Sequence, residues 1–106
     1  MPDPIIVTIS HRLGRDRAKR RLDDGLGRIR AQLAAFVSSV EYAWTGYRLD
    51  FTVTALRQTV VGRIDIEEDF ARVEIGLPLL LRVLASRIIG RVRREGTLLL
   101  DKSESK

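Results

Sequence analysis

The chain has 106 residues, and 19 lysines and arginines against 14 aspartates and glutamates give it a net charge of +5. That length suits one domain with one modest core, and 44% hydrophobic against 31% charged residues is the balance of a soluble globular chain, not a disordered one. With no cysteine and one histidine, a disulfide scaffold, a thiol nucleophile, a thiolate zinc site and a histidine-rich metal centre are all excluded.

Pro2 and Pro4 hold the first residues extended, and the β-branched run from Ile5 to Ser10 predicts a strand. A helix is expected over 15–37. At 100° per residue, Ala18, Leu22, Leu26, Ile29, Leu33, Phe36 and Val37 share one arc of about 100°. Gly25 and Gly27 lie inside it, each costing about 1 kcal/mol relative to alanine. They suit a close approach to the sheet, or a bend. The helix is expected to end near Ser38-Ser39.

Alternation with period two follows. Val40, Tyr42 and Trp44 point one way, and Gly46-Tyr47 makes a turn. Leu49, Phe51, Val53 and Ala55 then alternate with Arg48, Asp50, Thr52 and Thr54. After a turn near Arg57-Gln58, Val60, Gly62, Ile64 and Ile66 share a face. Past the acidic turn Glu67-Glu68-Asp69, so do Ala71, Val73, Ile75 and Leu77. This is an antiparallel meander with one wet and one buried face. Pro78 suits the first turn of a second helix reaching about Glu95, with Gly96 as its stop. Residues 97–102 either continue it or fold back over the core. Residues 103–106 read as a disordered tail on a domain of residues 1–102. The order β-α-β-β-β-β-α is an α+β fold, a two-layer sandwich with both helices on one face of the sheet. Either edge of the meander is open to the first strand.

Charge divides by layer. Seven basic residues stand against three acidic ones over 15–37, five arginines against Glu95 over 79–95, and four arginines against seven acids over 38–77. An acidic sheet face would attract a neighbour's basic helices, a means of forming a homo-oligomer. On a wheel, the core arc of the second helix holds Leu80, Leu81, Leu84, Ala85, Ile88 and Val92, with Ile89 at its margin. The opposite arc holds Arg82, Arg87, Arg93 and Arg94. Arg91 lies toward its edge, and Leu79 and Val83 lie near its middle. An apolar pair rimmed by arginines is what an interfacial helix presents to an anionic or amphiphilic surface. Leu79, Arg82, Val83, Arg87, Arg91 and Arg94 are therefore the candidate surface- or partner-binding residues. In the plainer reading, Leu79 and Val83 touch the sheet end or the first helix, and the arginines are merely solvated.

No catalytic constellation stands out. His11 is the only imidazole, and a general base needs an oriented partner. Asp16 and Asp50 are conceivable partners, but the plainer reading is a polar residue ending a strand. None of the serines lies in a G-x-S-x-G elbow. The acidic turn lacks the spacing of a calcium loop, and Gly25-Leu26-Gly27 lacks a phosphate-loop signature. No enzyme activity, cofactor or metal is expected. Nonspecific nucleic-acid binding needs only a basic stripe. Yet Tyr42, Trp44 and Phe51 fall on core-facing positions, which leaves only Tyr47 for stacking, and no helix-turn-helix spacing is visible. No run approaches the ~18 apolar residues of a membrane span, and the N-terminus lacks a signal-peptide pattern, so a cytoplasmic protein is expected.

Several stretches resemble the polyhydroxyalkanoic acid system family of small bacterial proteins, also called the polyhydroxyalkanoate granule region family. They are Ile6-Val7-Thr8-Ile9-Ser10-His11-Arg12-Leu13-Gly14, Ala18-Lys19-Arg20-Arg21-Leu22, Val40-Glu41-Tyr42-Ala43-Trp44, Leu49-Asp50-Phe51, Gly62-Arg63-Ile64-Asp65-Ile66 and Val73-Glu74-Ile75-Gly76-Leu77-Pro78. The resemblance covers about 4–102. It implies an association with polyhydroxyalkanoate synthesis, use or granule surfaces, and it brings no catalytic residues with it. The leading expectation is a non-enzymatic accessory protein that binds the granule surface or granule-associated proteins through its basic helical face. The runner-up is a small acyl-ligand-binding module with a pocket between sheet and helix, for hydroxyacyl chains or acyl thioesters. Against it, the inward side chains of Leu33, Phe36, Tyr42, Trp44, Phe51 and Ile64 are bulky enough to fill the core. Nucleic-acid binding comes third.

Overall fold

A computed structural model describes residues 4–35, 37–55, 57–78, 82 and 85–101, less the side chains of Leu33 and Asp101. The elements are β1 (Ile5–Ser10), α1 (Gly14–Leu33), β2 (Ser39–Thr45), β3 (Arg48–Ala55), β4 (Gln58–Ile66), β5 (Phe70–Gly76) and α2 (Ala85–Asp101). This is the α+β order that the patterning predicts. The five strands form one antiparallel sheet in the order β1-β5-β4-β3-β2. The open question of the edge is resolved by β1 pairing with β5, with Val7 opposite Val73 and Ile9 opposite Ala71.

Alternation sets the two faces. Val7, Ile9, Leu49, Ile64, Ile66, Ala71, Val73 and Ile75 are buried, while Ile6, Thr8 and Ser10 are exposed. A slip of one residue would turn this whole set to water, so the register is tightly specified. Gly46, with φ +60°, begins the two-residue turn between β2 and β3, the pattern of a type II′ hairpin.

The outer face of the sheet is a lattice of opposite charges. Arg48 faces Asp65, Asp65 faces Arg72, Asp50 faces Arg63, and Arg63 faces Glu74. Ion pairs close at 2.9 Å for Arg48–Asp65, 3.4 Å for Arg63–Asp50 and 2.6 Å for Arg72–Glu74. The hydrogen bond to Asp65, and then that carboxylate's charge, raise the Arg48 pKa. The surplus acid of the sheet layer is concentrated in the β4–β5 turn at Glu67, Glu68 and Asp69. A second copy meeting the sheet face would find nearly balanced charge rather than an acidic field.

Both helices depart from their predicted bounds. α1 ends at Leu33 rather than near Ser38. The Ser38 N–H donates to Thr54 O at 2.7 Å and Ser39 already pairs with Thr54, so the chain must leave the helix early to reach the sheet. The Ala34 N–H closes on Ala31 O at 3.4 Å, a tightened last turn. Val37 lies outside the helix, and Phe36 is not among the described residues. Gly25 does permit a close approach, but to α2 rather than to the sheet: a Cβ there would lie 2.4 Å from Leu99 Cδ2.

Of the two courses open to residues 97–102, α2 takes the first: it runs through Gly96 to Asp101 rather than stopping at the glycine. A Cβ at Gly96 would lie 2.2 Å from Ile9 Cδ1. The missing side chain serves close packing of α2 on β1, not termination. The added turn brings Leu100, 1% exposed, into the core. Ile88, Ile89 and Val92 pack against that core as the wheel predicts. Leu80, Leu81, Leu84 and the tail 103–106 lie outside the described residues.

Candidate functional site

Core packing of Ile88, Ile89 and Val92 dictates which side of α2 meets water. Residues 87, 91, 94 and 98 then share an outward stripe about 60° wide at 100° per residue. Arg87, Arg91 and Arg94 are all exposed, as is Arg93 beside them. Leu98, on the same stripe, is 54% exposed. Arg91 Nε donates to Glu95 Oε2 at 3.3 Å, an i,i+4 pair along the helix. Arg82 is exposed on the approach to α2. Leu79 and Val83, the expected apolar pair of this face, lie outside the described residues. Leu98 was missed as a candidate because the wheel of the second helix ended at about Glu95, although continuation through 97–102 was one of the two courses expected. Its signal was present, eleven residues after Arg87 and hence on the same face.

Beneath the helices lies an apolar cavity of about 500 Å³. Phe51, Val53, Ile64 and Val73 form its floor on the sheet. Leu22, Leu26 and Ile29 wall it from α1, and Val92 and Leu99 from α2. Its polar lining residues are Gln32, Arg91 and Glu95. Of the bulky inward residues expected to fill this space, Tyr42, Trp44, Phe51 and Ile64 leave it open, while the Leu33 side chain and Phe36 lie outside the described residues. Phe51 lies flat on Gly62, where a Cβ would sit 2.1 Å from Cζ, so the ring is held down on the sheet. Tyr42 and Trp44 pack at the margin of the core. Gly25 against Leu99, and Arg21 Nε donating to Leu99 O at 3.3 Å, join the helices at one end of the cavity.

The other end of α1 holds a polar cluster. Its N-cap position is Leu13, which offers no side-chain cap. The acidic turn takes that role. Glu68 Oε1 accepts from the Arg15 N–H at 3.3 Å, and Glu67 pairs with the Arg15 guanidinium at 3.3 Å. Negative charge at a helix N-terminus is favourable by about 0.3–1 kcal/mol. Arg15 and Lys19 sit 5.0 Å and 5.7 Å from the Tyr47 ring centroid, and Lys19 sits 5.0 Å from that of Trp44. The Tyr47 hydroxyl bonds Asp16, which, with burial and that carboxylate's charge behind it, raises the tyrosine pKa. Trp44 Nε1 donates to Asp23 at 2.9 Å. These rings already serve this chain's own cations and carboxylates, which leaves Tyr47 little face for a nucleic-acid base.

His11 is 4% exposed and bonds neither Asp16 nor Asp50. Nδ1 accepts from the Leu13 N–H at 3.2 Å, so the proton sits on Nε2, which donates to Glu67 O at 3.1 Å. The His11 N–H adds a 2.9 Å bond to Asp69 O. The ring ties the β1–α1 junction to the β4–β5 turn, a polar residue closing a strand. His11→Ala strands the buried Leu13 N–H and the part-buried Glu67 O and leaves a void, so it is expected to cost about 1–3 kcal/mol. Thermal melting by circular dichroism reads this directly, and an unchanged midpoint would remove the latch. Among the described residues, no cluster of three or more metal-ligating side chains occurs, and no helix is long and apolar enough to cross a membrane.

A basic outer helix, an apolar cleft beneath it and a charge-balanced sheet define a small α+β sandwich protein. The chain belongs to the family described as "Putative polyhydroxyalkanoic acid system protein", which matches residues 5–100 and so takes in both the α2 stripe and the cleft. No curated protein and no solved structure matches it.

Proposed function

We propose that the protein is a non-enzymatic accessory of polyhydroxyalkanoate metabolism that docks on the granule surface through the outer face of α2. The observation that carries this reading is the single stripe of Arg87, Arg91, Arg94 and the exposed Leu98. An amphipathic helix with arginines around an apolar side chain binds an anionic or amphiphilic interface by combining charge attraction with apolar burial. The family supplies the polyhydroxyalkanoate setting. The cytoplasm, where such granules lie, is the corresponding location.

Isolated granules mixed with the purified protein test the reading. The protein is expected in the granule pellet at low salt and is released as salt rises, because screening shortens the Debye length from about 10 Å at 0.1 M to about 3 Å at 1 M. Protein that stays in the supernatant at low salt overturns it. So does preferential binding to DNA added in competition.

A further inference from the structure

We infer that the cleft between the helices and the sheet is a binding site for a single medium-length acyl chain, with its carboxylate end at Arg91. The site shares Arg91 with the outer stripe, but its apolar body lies beneath the helices and does not depend on granule docking. Ligand pockets of about 300–1,000 Å³ are mostly apolar with a few polar groups that fix orientation. The cleft, at about 500 Å³, matches that pattern. Its walls are aliphatic, its floor carries the Phe51 ring, and its polar residues are few: Gln32 on α1, and Arg91 and Glu95, paired at 3.3 Å, on α2. The lining runs from Leu22 to Gln32 along α1, about 15 Å at 1.5 Å per residue. That suits an extended acyl chain rather than a compact ring system.

Charge decides which amphiphile. Arg91 meets Glu95 through Nε, which uses one of five guanidinium donors and holds the group at the cleft. Arg87 and Arg94 flank it along the helix, so three cations stand against one carboxylate. An anionic head is attracted there and a cationic one is repelled. A second copy of this chain is a poorer occupant. Among the described residues the exposed large apolar side chains are Ile6, Val61, Tyr47 and Leu98. Ile6 and Val61 lie on the outer sheet face, Tyr47 is held by Asp16 and Leu98 is one leucine, so none forms an apolar ridge able to fill the cleft.

Decanoate, decanol and decyltrimethylammonium are the probes, measured by titration calorimetry and native mass spectrometry on the full chain. Decanoate is expected to bind one to one, and decyltrimethylammonium at least tenfold more weakly. Arg91→Gln, on an exposed side chain that does not threaten the fold, is expected to weaken decanoate about tenfold, the loss of one charge-assisted hydrogen bond, and to leave decanol unchanged. Val53→Trp, which fills the floor, is expected to abolish binding of both. Leu26→Phe gives a second filling variant if that one does not fold. No saturable binding to the wild-type chain overturns the site, as does a dimer in sedimentation whose second copy covers the cleft. Equal decanoate affinity in Arg91→Gln overturns the assigned orientation. A filling variant that loses decanoate but still pellets with granules keeps this inference apart from the docking reading.

Discussion

Leu100→Ala is expected to destabilise the fold by about 2–5 kcal/mol, the range for truncating a buried leucine and leaving part of its volume empty. For a domain of this size that lowers the melting temperature by about 4–8 °C per kcal/mol. The side chain is 1% exposed and ranks with Leu49, Ile66 and Val7 among the largest that are fully buried. The size of the effect depends on α2 passing through Gly96. Were the helix to stop there, residue 100 would sit on a frayed end, and its truncation would be nearly silent. Leu98→Ala is the internal control. At 54% exposed it lies on the outward stripe and should change stability by less than about 0.5 kcal/mol. Urea denaturation separates the two cleanly, with a fall in midpoint at constant slope for Leu100→Ala. Equal effects at the two positions would mean that the last turn is not docked as described.

The contrast at Gly96 shows where the sequence is readable and where it is not. A glycine that ends a helix and a glycine that lets a helix touch a strand are the same letter. What separates them is whether the apolar period continues beyond it. Here Ile88, Val92, Leu99 and, at the margin, Leu100 keep to the buried side across the glycine, so the continuation was present in the pattern. At the end of α1 the pattern misleads in the other direction. Phe36 and Val37 prolong the apolar arc, but the pairing of Ser39 with Thr54 draws the chain out of the helix. Pairing across fifteen residues leaves no trace in a local period. The sheet itself was legible because one face is wet, which imposes strict alternation on every strand. The place of β1 was not, since both edges of the meander present the same unpaired backbone. The arginine stripe follows from residue spacing alone. The cleft does not: its volume is the difference between layer separation and side-chain bulk. It depends on Phe51 lying down on Gly62, which only the pairing of β3 with β4 reveals.

Reversing Arg87 and Arg94 to glutamate is expected to weaken binding to granules or anionic vesicles by about 100- to 1,000-fold at low salt. Each basic residue near a negatively charged surface contributes about 1 kcal/mol, and two reversals change the local charge by four units. Ile88 and Val92 fix these two arginines on the side of α2 away from the core, where both are exposed. The far-ultraviolet circular dichroism and melting temperature should therefore stay as in the wild type. Arg91 is left in place because it pairs with Glu95 and borders the cleft. Net charge alone would also weaken binding, so the decisive comparison is with Arg20→Glu and Arg28→Glu, exposed positions on α1 that change the total charge equally. Vesicle co-sedimentation should fall far less for that pair, by under about tenfold, because charges more than a Debye length from the surface are screened. Equal losses in the two double variants would reduce the stripe to one part of a diffuse positive charge, and the outer face of α2 would no longer be the docking surface. A loss confined to Arg87 and Arg94, which fades as salt approaches 1 M, is the signature of a helix laid on an anionic interface.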